Sequence, residues 1–411
     1  MKKPSTKAIL TMSVIAAALI SLWILGGMIG FHTGRLPNEI YENGETSFYR
    51  TEHYSDWVRE KPETLPAVGE MGFDLRSLDI SDLSLKDRAS DLPLVSFDEK
   101  TVWSENLPED FNPETIMELG KDPGLHIRTL HEQGLTGKGV RIAIIDSNLN
   151  LSHREYQDNL KFYEILHAFG NDTGMHGAAV ASIAVGKNCG VAPDAELLYI
   201  STTSGRFTLF GLVTDTSYIA KGIDRVLEIN QLLPEDKKVR VISISLGYEK
   251  TLGQSAVASA IERAKQEGVF VVTTTPESAY DFRLMGLGRD PADDPNDVSS
   301  YKPGLLWEKD LYYNPDWYDP EKLLLVPMDA RTFADSNDPE CYEFSARGGS
   351  SWAVPWLSGL YALCIQKNPD ITPGLFLEKA FETGTIQRWE HDGIEYQLGT
   401  IIDPVALVES L

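Results

Sequence analysis

The chain has few positively charged residues and few cysteines. The first shortage argues against a nucleic-acid partner, and the second argues against a disulfide framework. Its 411 residues carry 37 lysines and arginines against 61 aspartates and glutamates, a formal net charge of −24. A surface this acidic repels nucleic acid and anionic lipid headgroups, so we expect no nucleic-acid partner. Cys189, Cys341 and Cys364 are too few, and odd in number, for a disulfide framework. Cys341 and Cys364 could pair, but free core thiols are the favoured interpretation.

Long uncharged runs are also scarce, and the exception lies near the N-terminus. Residues 8–31 contain no charged side chain, which gives about 36 Å of helix, enough to cross a bilayer. Lys2, Lys3 and Lys7 precede this run, and flanking positive charge predicts a cytoplasmic tail at residues 1–7. No Ala-x-Ala-like site follows, so an uncleaved signal anchor is favoured over a cleaved signal peptide. The sequence therefore predicts a single-pass protein of the cell membrane, in the lipid bilayer through residues 8–31, with its main body outside the cytoplasm.

Residues 32–125 show no pattern typical of a repeat array. They are polar and acidic, hold seven prolines, and include one short leucine-rich run at residues 75–85. We interpret them as an extracytoplasmic linker or as a strap packed on the surface of the remaining chain. Residues 126–411 then form the main domain, which is long enough to bury a large core.

A first polar motif ends an apolar run. Leu135-Thr-Gly-Lys-Gly139 is a polar turn, and it leads into the largely apolar run of residues 140–145, which indicates a buried parallel strand. Asp146 follows directly, at the carboxyl end of the predicted strand, where open α/β sheets place their ligand crevice. The alternative is an aspartate that merely ends a strand in a turn.

A second motif places a histidine at the start of a helix. His176 precedes a run of small apolar residues at positions 178–184, which predicts a helix able to pack closely inside a domain. The alternative is a histidine at a helix start with no chemical role.

A third motif places two serines after two glycines. Ser350 and Ser351 precede the largely apolar residues 352–365, which predict a helix. A hydroxyl nucleophile benefits from a helix N-terminus, because unpaired N–H groups and the positive end of the dipole stabilise an oxyanion. Pro355 removes one early helical hydrogen bond and must be tolerated by the local packing. The alternative is an N-cap serine.

Together the three motifs, in the order Asp, His, Ser, resemble the subtilase family of serine peptidases. The resemblance covers roughly residues 126–411 and is supported by Ser152-His153, Gly190-Val-Ala-Pro-Asp194, Val241-Ile-Ser-Ile-Ser-Leu-Gly247 and Gly399-Thr-Ile-Ile-Asp-Pro-Val-Ala406. It implies a subtilisin-like α/β fold, a doubly wound, mostly parallel β-sheet flanked by helices, preceded here by one N-terminal transmembrane helix. Under this resemblance residues 32–125 gain a third interpretation, a propeptide-like inhibitor, although they show no convincing propeptide pattern.

The resemblance also implies roles for individual residues. Ser351 would attack a peptide carbonyl, His176 would accept and return the proton, and Asp146 would orient and stabilise the imidazolium. Protein or peptide substrates would bind in extended form as an added strand along Ser245, Leu246 and Gly247. Asn148 replaces a family glycine, a mild change because asparagine tolerates left-handed backbone.

The departure with the largest chemical consequence is at the oxyanion position. The family follows an apolar strand with Ala-Gly-Asn, and here Thr275-Pro276-Glu277 stands at those positions. An ionised Glu277 beside the oxyanion that Ser351 generates would have the wrong sign, and losing one donor there costs about 3 kcal/mol. Glu277 could donate if burial keeps it protonated, Thr275 or Ser278 could replace it, or Glu277 could lie on the surface of a rebuilt loop.

Metal ions and cofactors are not required by this chemistry. A calcium site at residues 290–297 is one interpretation, because carboxylates cluster there and subtilases often bind calcium. A solvated acidic loop is favoured, because the carboxylates have no ordered ligand spacing. Two functions follow: a membrane-anchored serine endopeptidase, or a catalytically impaired subtilisin-fold protein that binds peptides or partner proteins.

Overall fold

The computed structural model describes residues 60–69, 72–168, 173–208, 211–275, 279–305, 311–314 and 318–411. The predicted tail and anchor at residues 1–31 lie outside these ranges, as does Glu277. Within the ranges described, no helix has the length and apolar character needed to span a membrane.

Strands and helices alternate through the middle of the chain. The strands are β1 (Phe73–Asp74), β2 (Val95–Asp98), β3 (Arg141–Asp146), β4 (Leu160–His167), β5 (Glu196–Thr202), β6 (Gly205–Thr208), β7 (Gly211–Thr214), β8 (Val239–Ile244), β9 (Phe270–Thr273), β10 (Arg283–Gly288), β11 (Lys302–Pro303), β12 (Leu323–Pro327), β13 (Arg331–Ala334), β14 (Tyr342–Ser345), β15 (Thr385–His391) and β16 (Ile394–Ile401). The helices are α1 (Pro113–Lys121), α2 (Ile127–Glu132), α3 (Met175–Val185), α4 (Ser217–Leu232), α5 (Gln254–Gln266), α6 (Ser350–Lys367), α7 (Pro373–Thr383) and α8 (Pro404–Glu409).

A five-stranded parallel sheet forms the centre, with strand order β4-β5-β3-β8-β9. Its strands are largely apolar and mostly buried because both of its faces are covered. All six residues of β3 are buried, which confirms the predicted strand before Asp146. The carboxyl ends of β3, β5, β8 and β9 meet at one edge, and the candidate site lies there.

Helices cover both faces of this sheet, which confirms the doubly wound α/β fold. Alternate residues of β3 belong to two different cores: Ile142 and Ile144 join the core that contains α3 and α6, whereas Ala143 and Ile145 join the core that contains α4 and α5. This is the two-residue period of a strand buried on both sides.

The two flanking sheets extend this body. One has the order β11-β10-β12-β16-β15, with β10, β12 and β16 parallel and β15 and β16 joined as an antiparallel hairpin. In the other, β1-β2-β14-β13, strand β2 pairs antiparallel with β14, which lies far along the chain. Phe73, Phe97 and Phe344 pack in a separate apolar core beneath it. Within the described part of the segment 32–125, strands β1 and β2 are thus built into this sheet.

The three cysteines are free, as predicted from their number. Cys189 and Cys364 are buried and Cys341 is half-buried.

Candidate active site

Asp146 and His176 are joined by a hydrogen bond. His176 Nδ1 lies 2.8 Å from Asp146 Oδ1, which also accepts the backbone N–H of Ser147 at 2.7 Å. The Asp146 side chain is buried, while the His176 side chain is 40% exposed, so the imidazole reaches from a buried carboxylate into the solvent-filled cleft. Coulombic attraction by Asp146 raises the pKa of His176 above its ordinary value of 6.5, although burial acts in the opposite direction.

Two glycines let the helix that carries His176 approach the turn after Asp146. A Cβ on Gly174 would stand 2.9 Å from Ser147 Oγ, and a Cβ on Gly177 would stand 2.9 Å from the Ser147 carbonyl oxygen. The backbone N–H of Gly174 donates to the Asn148 carbonyl at 3.0 Å. The glycines of the His motif are therefore needed for close approach, because a larger residue would push α3 away from the aspartate.

Buried polar groups of β5 hold this same turn from behind. Tyr199 Oη donates to the Ser147 carbonyl oxygen at 2.6 Å, and Ser201 Oγ donates to Asn148 Oδ1 at 2.5 Å. Asn148 does not use the left-handed backbone region that its family position suggested, and its side chain is bonded instead. Sequence reasoning missed Tyr199 and Ser201. The strand after the His motif was recognised, but its inward side chains gave no signal of a partner.

Ser351 lies in the first turn of α6, and Ser245 binds it in two ways. Ser351 Oγ donates to the Ser245 carbonyl at 3.1 Å, and Ser245 Oγ donates to the Ser351 carbonyl at 2.6 Å. The second bond has a clear cause. Pro355 has no N–H to offer the carbonyl four residues earlier, which is that of Ser351, so the Ser245 hydroxyl satisfies it instead. The proline tolerated within α6 thus ties the helix to the end of β8.

Asp146, His176 and Ser351 line one cavity of about 330 Å³. Ser245 and Leu246 also line it, and Thr202, Thr203 and Ser204 form another part of its wall. The Gly349 N-cap of α6 has no side-chain cap, and although the Trp352 N–H donates to the Gly349 carbonyl at 2.8 Å, the N–H groups of Ser350 and Ser351 remain for an anion. The structure brings the three residues of the predicted triad to one cleft, although the Ser351 hydroxyl is bonded to Ser245 and not to His176.

The predicted substrate residues 245–247 follow β8, which ends at Ile244. Gly247 lies beside the chain that follows β9, since a Cβ there would stand 3.2 Å from Thr274 Oγ1 and 3.7 Å from Thr275 Oγ1. Thr275 Oγ1 is buried and has no hydrogen-bond partner within the described chain. Glu277 lies outside the described residues, so its distance from Ser351 stays a prediction.

The acidic segment 290–297 uses several of its carboxylates within the protein. Asp290 forms an ion pair with Lys302 at 2.6 Å, and Asp297 accepts the backbone N–H of Ser299 at 2.8 Å. Across the described ranges, no group of three or more His, Cys, Asp or Glu side chains is arranged to hold a metal ion. Calcium binding stays an untested prediction.

Comparisons with known proteins show which family and which relatives the chain is similar to. Residues 137–309 match the model of the subtilase family, peptidase S8. Mycosin-1 of Mycolicibacterium smegmatis is 25% identical over 324 residues, which covers 66% of this chain and 68% of mycosin-1. Subtilisin E of Bacillus subtilis is 25% identical over 267 residues, 62% of this chain and 63% of subtilisin E. Serine protease AprX of Bacillus subtilis is 22% identical over 312 residues, 66% of each protein.

Among solved structures, that of the prenylagaramide maturation protease PagA covers 69% of this chain and 97% of its own, with a TM-score of 0.49 and 15% identity. The matches span about two thirds of the length of the curated relatives. The family match and the subtilisin relatives support a subtilisin-like serine peptidase with a subtilisin-like α/β fold.

Proposed function

We propose that this chain is a serine endopeptidase that hydrolyses peptide bonds through an acyl-enzyme, with Asp146, His176 and Ser351 as its triad. The observation that carries the proposal is the 2.8 Å contact between His176 Nδ1 and Asp146 Oδ1. Both residues line a cavity that Ser351 also lines. With Nδ1 donating to the carboxylate, Nε2 is the ring nitrogen that can accept a proton.

Each residue then has one task. Ser351 Oγ leaves the Ser245 carbonyl by rotation about its Cα–Cβ bond and attacks the substrate carbonyl, while His176 Nε2 takes its proton. Asp146 stabilises the imidazolium, which returns the proton to the leaving amine. Water then attacks the acyl-enzyme, again with His176 as base, and frees Ser351.

The proposed substrates are proteins or peptides bound in extended form. Residues 245–247 continue from a sheet edge beside the cavity, where a peptide can pair as an added strand. The first-turn N–H groups of α6 supply part of an oxyanion hole. Thr275 or a protonated Glu277 supplies the remaining donor, whereas an ionised Glu277 would destabilise the oxyanion.

We further propose that residues 8–31 anchor the protein in the cell membrane and that the peptidase body lies outside the cytoplasm. The charge-free run behind three lysines supports this orientation. No cofactor is required, and calcium would act only as a structural ion.

A catalytically impaired peptide-binding protein is the second candidate. One observation and one expectation favour it: the Ser351 hydroxyl is bonded to the Ser245 carbonyl, and the sequence resemblance implies that Glu277 stands at the position where the family has an amide donor. In that case the same cleft would hold an extended peptide without cutting it.

Labelling with a fluorophosphonate probe separates the two functions. The full-length protein should react covalently, and Ser351→Ala or His176→Ala should abolish the reaction. Ser350→Ala is the matched control, since it removes a hydroxyl from the adjacent residue of the same helix turn and should have a small effect. Absence of labelling in folded wild-type protein that still binds peptides would establish the second candidate, and labelling that survives Ser351→Ala would reject this nucleophile.

A further inference from the structure

A second cavity, of about 540 Å³, is basic although the chain is strongly acidic. Four of its seven lining residues are cations, and one, Glu118, is an anion. The cations are Lys121 from the end of α1, Arg128 from α2, Arg154 from the loop after β3, and Lys187 from the turn after α3. Four separate segments therefore bring positive charge to one concave place, where a net charge of −24 makes such a concentration unexpected.

The floor of this basic cavity is a fixed hydrogen-bonded group. Tyr342 is buried and donates from Oη to Glu155, whose carboxylate also accepts the backbone N–H groups of Asn188 at 3.0 Å and Cys189 at 3.1 Å. Asn188 Nδ2 donates to Glu155 Oε1 at 2.7 Å. Because these donors already satisfy the Glu155 carboxylate, it belongs to the floor and is not a free acceptor facing a ligand.

Two of the cations are held over the ring of Tyr342. Lys121 Nζ lies 4.2 Å from the ring centroid and Arg154 Cζ lies 4.6 Å from it. Arg154 Nε is buried and has no hydrogen-bond partner within the described chain. The aromatic ring thus holds two positive charges in place at the bottom of the cavity, and one donor there is unused.

The remaining ion pairs around the basic cavity are weak and open to water. Lys121 pairs with Glu118 at 2.6 Å and Arg154 pairs with Glu340 at 3.4 Å, but both glutamates are more than two thirds exposed. Arg128 pairs with Asp122 at 3.6 Å. The two pairs with exposed glutamates contribute about 0–1 kcal/mol, so a multiply charged anion can displace them. The Arg128–Asp122 pair is long, although Asp122 itself is only 14% exposed. Lys187 makes no ion pair with any residue that the structure describes.

The basic cavity lies at the opposite end of α3 from the catalytic cleft. His176 is in the first turn of α3, and Lys187 lies two residues beyond Val185, the last residue of the helix. The eleven residues of the helix span about 16 Å. A peptide bound at the carboxyl edge of the sheet does not pass this amino edge, which makes the basic cavity a separate site and not a substrate subsite.

We propose that this basic cavity binds a compact, multiply charged oxyanion of the phosphate class. Lysine supplies point charges and arginine a planar pair of donors, the combination that recognises tetrahedral oxyanions. The concave shape favours a compact anion over an extended acidic chain, which would run along a groove. Cations beside the C-terminus of α3 also interact favourably with its dipole, so they are stable there without ligand.

Titration of the full-length protein with inorganic pyrophosphate tests this site. We expect saturable binding by calorimetry, with an unfolding temperature that rises by a few degrees at about 100 times the dissociation constant. Lys187→Gln and Arg128→Gln should each weaken binding about tenfold. Both side chains are exposed, so neither variant is expected to unfold the protein.

Controls separate specific binding from screening of a strongly acidic protein. Sodium chloride at matched ionic strength should leave the heat of binding absent, and Arg388→Gln, which removes an exposed arginine on β15, should bind pyrophosphate as the wild type does. The proposal is overturned if pyrophosphate gives no saturable heat, if both Lys187→Gln and Arg128→Gln bind it unchanged, or if a hexaglutamate peptide binds more tightly than pyrophosphate.

Discussion

Tyr199 holds Ser147 from beneath the catalytic cleft. Its hydroxyl donates a 2.6 Å hydrogen bond to the Ser147 carbonyl oxygen, and a Cβ on Gly177 would stand 2.6 Å from the same hydroxyl oxygen. Tyr199 therefore touches both the turn after Asp146 and the helix that carries His176. In the proposed mechanism Tyr199 is a positioning residue, because it touches both elements that carry the pair and does not line the cavity.

Tyr199→Phe should lower kcat about tenfold and leave KM nearly unchanged, since the loss affects the Asp146–His176 geometry and not the substrate wall. The acid limb of the pH–rate profile should also move to lower pH as Asp146 holds the imidazolium less well. Tyr301→Phe is the matched control, because it removes a buried tyrosine hydroxyl that donates to the Pro295 carbonyl at 2.7 Å, far from the triad. Equal effects of both variants would show that Tyr199 contributes only to stability.

The pH dependence of activity should report the Asp146–His176 pair. His176 is a base only when neutral, and its pKa is raised by Asp146, so kcat/KM should rise with pH through an apparent pKa above 6.5. Asp146→Asn removes the attracting charge, so that limb should shift to lower pH while kcat falls about 10⁴-fold. Steady-state kinetics on a peptide substrate measure both. An unshifted limb in the asparagine variant would contradict the pairing.

Amide variants of Glu277 test whether this side chain lies beside the oxyanion. If its carboxylate faces the oxyanion, Glu277→Gln and Glu277→Asn should raise turnover near neutral pH by restoring an amide donor. If it acts protonated, activity in the wild type should fall as pH rises through its elevated pKa, and the glutamine variant should lose that fall. Unchanged rates and pH profile in both variants would show that Glu277 lies elsewhere.

Thr275 is then the neighbouring donor to examine. Its buried Oγ1 lies beside Gly247 and has no partner among the residues that the structure describes. Thr275→Val, which keeps the shape and removes the hydroxyl, should therefore lower kcat about tenfold if this hydroxyl serves the oxyanion. Thr274→Val is the control one residue earlier. A wild-type rate for Thr275→Val would leave the α6 N–H groups as the donors.

Glu343 should make the protein less stable as pH rises. Burial raises the pKa of Glu343 from 4.5 to about 7, with Asp335 adding to the rise and Arg76, at 2.9 Å, opposing it. Between these values the folded protein holds a proton that the unfolded chain releases, so the free energy of unfolding should fall by about 3 kcal/mol from pH 4.5 to pH 7. Glu343→Gln should remove this fall in urea titrations, and the exposed Glu390→Gln should not. A fall of the same size in Glu343→Gln would place its cause elsewhere.

The proposed topology can be checked in intact cells. External protease should reach an epitope placed after Leu411 and should not reach one placed before Met1, because the lysines ahead of residues 8–31 keep the N-terminus inside. The full-length protein should also resist extraction by an alkaline wash, since apolar burial holds the helix. Protection of the C-terminal epitope would reverse the topology.

The central strands and the motif helices were readable because their signals are local. A continuous apolar run predicts β3, and small residues after His176 predict α3, which is buried along nearly its whole length. Strands β1 and β2 escaped prediction because they are short, β1 pairs only with β2, and β2 takes its other partner from the distant β14. The pairing of Tyr199 with Ser147 had no local signal either, since it depends on how two neighbouring strands stack their side chains.

The basic cavity was unreadable for the same reason. Lys121, Arg128, Arg154 and Lys187 are spaced along the chain among many acids, so no charge run marks them. They meet only because α1 and α2 pack beside the turn after α3. Charge patterning along a sequence detects stripes on one element, and this site is assembled from four.

The pairing of β2 with β14 holds the N-terminal part of the described chain to the body without need of the peptide bonds between β2 and α1. Residues 72–98 contact the body through a shared sheet, whose β14 partners lie more than 200 residues away along the chain, and through a shared apolar core that includes Tyr342 and Phe344. A single cut in the connection between β2 and α1 would therefore not release the N-terminal piece. The two fragments should stay associated, and separately expressed halves should reassemble by strand complementation.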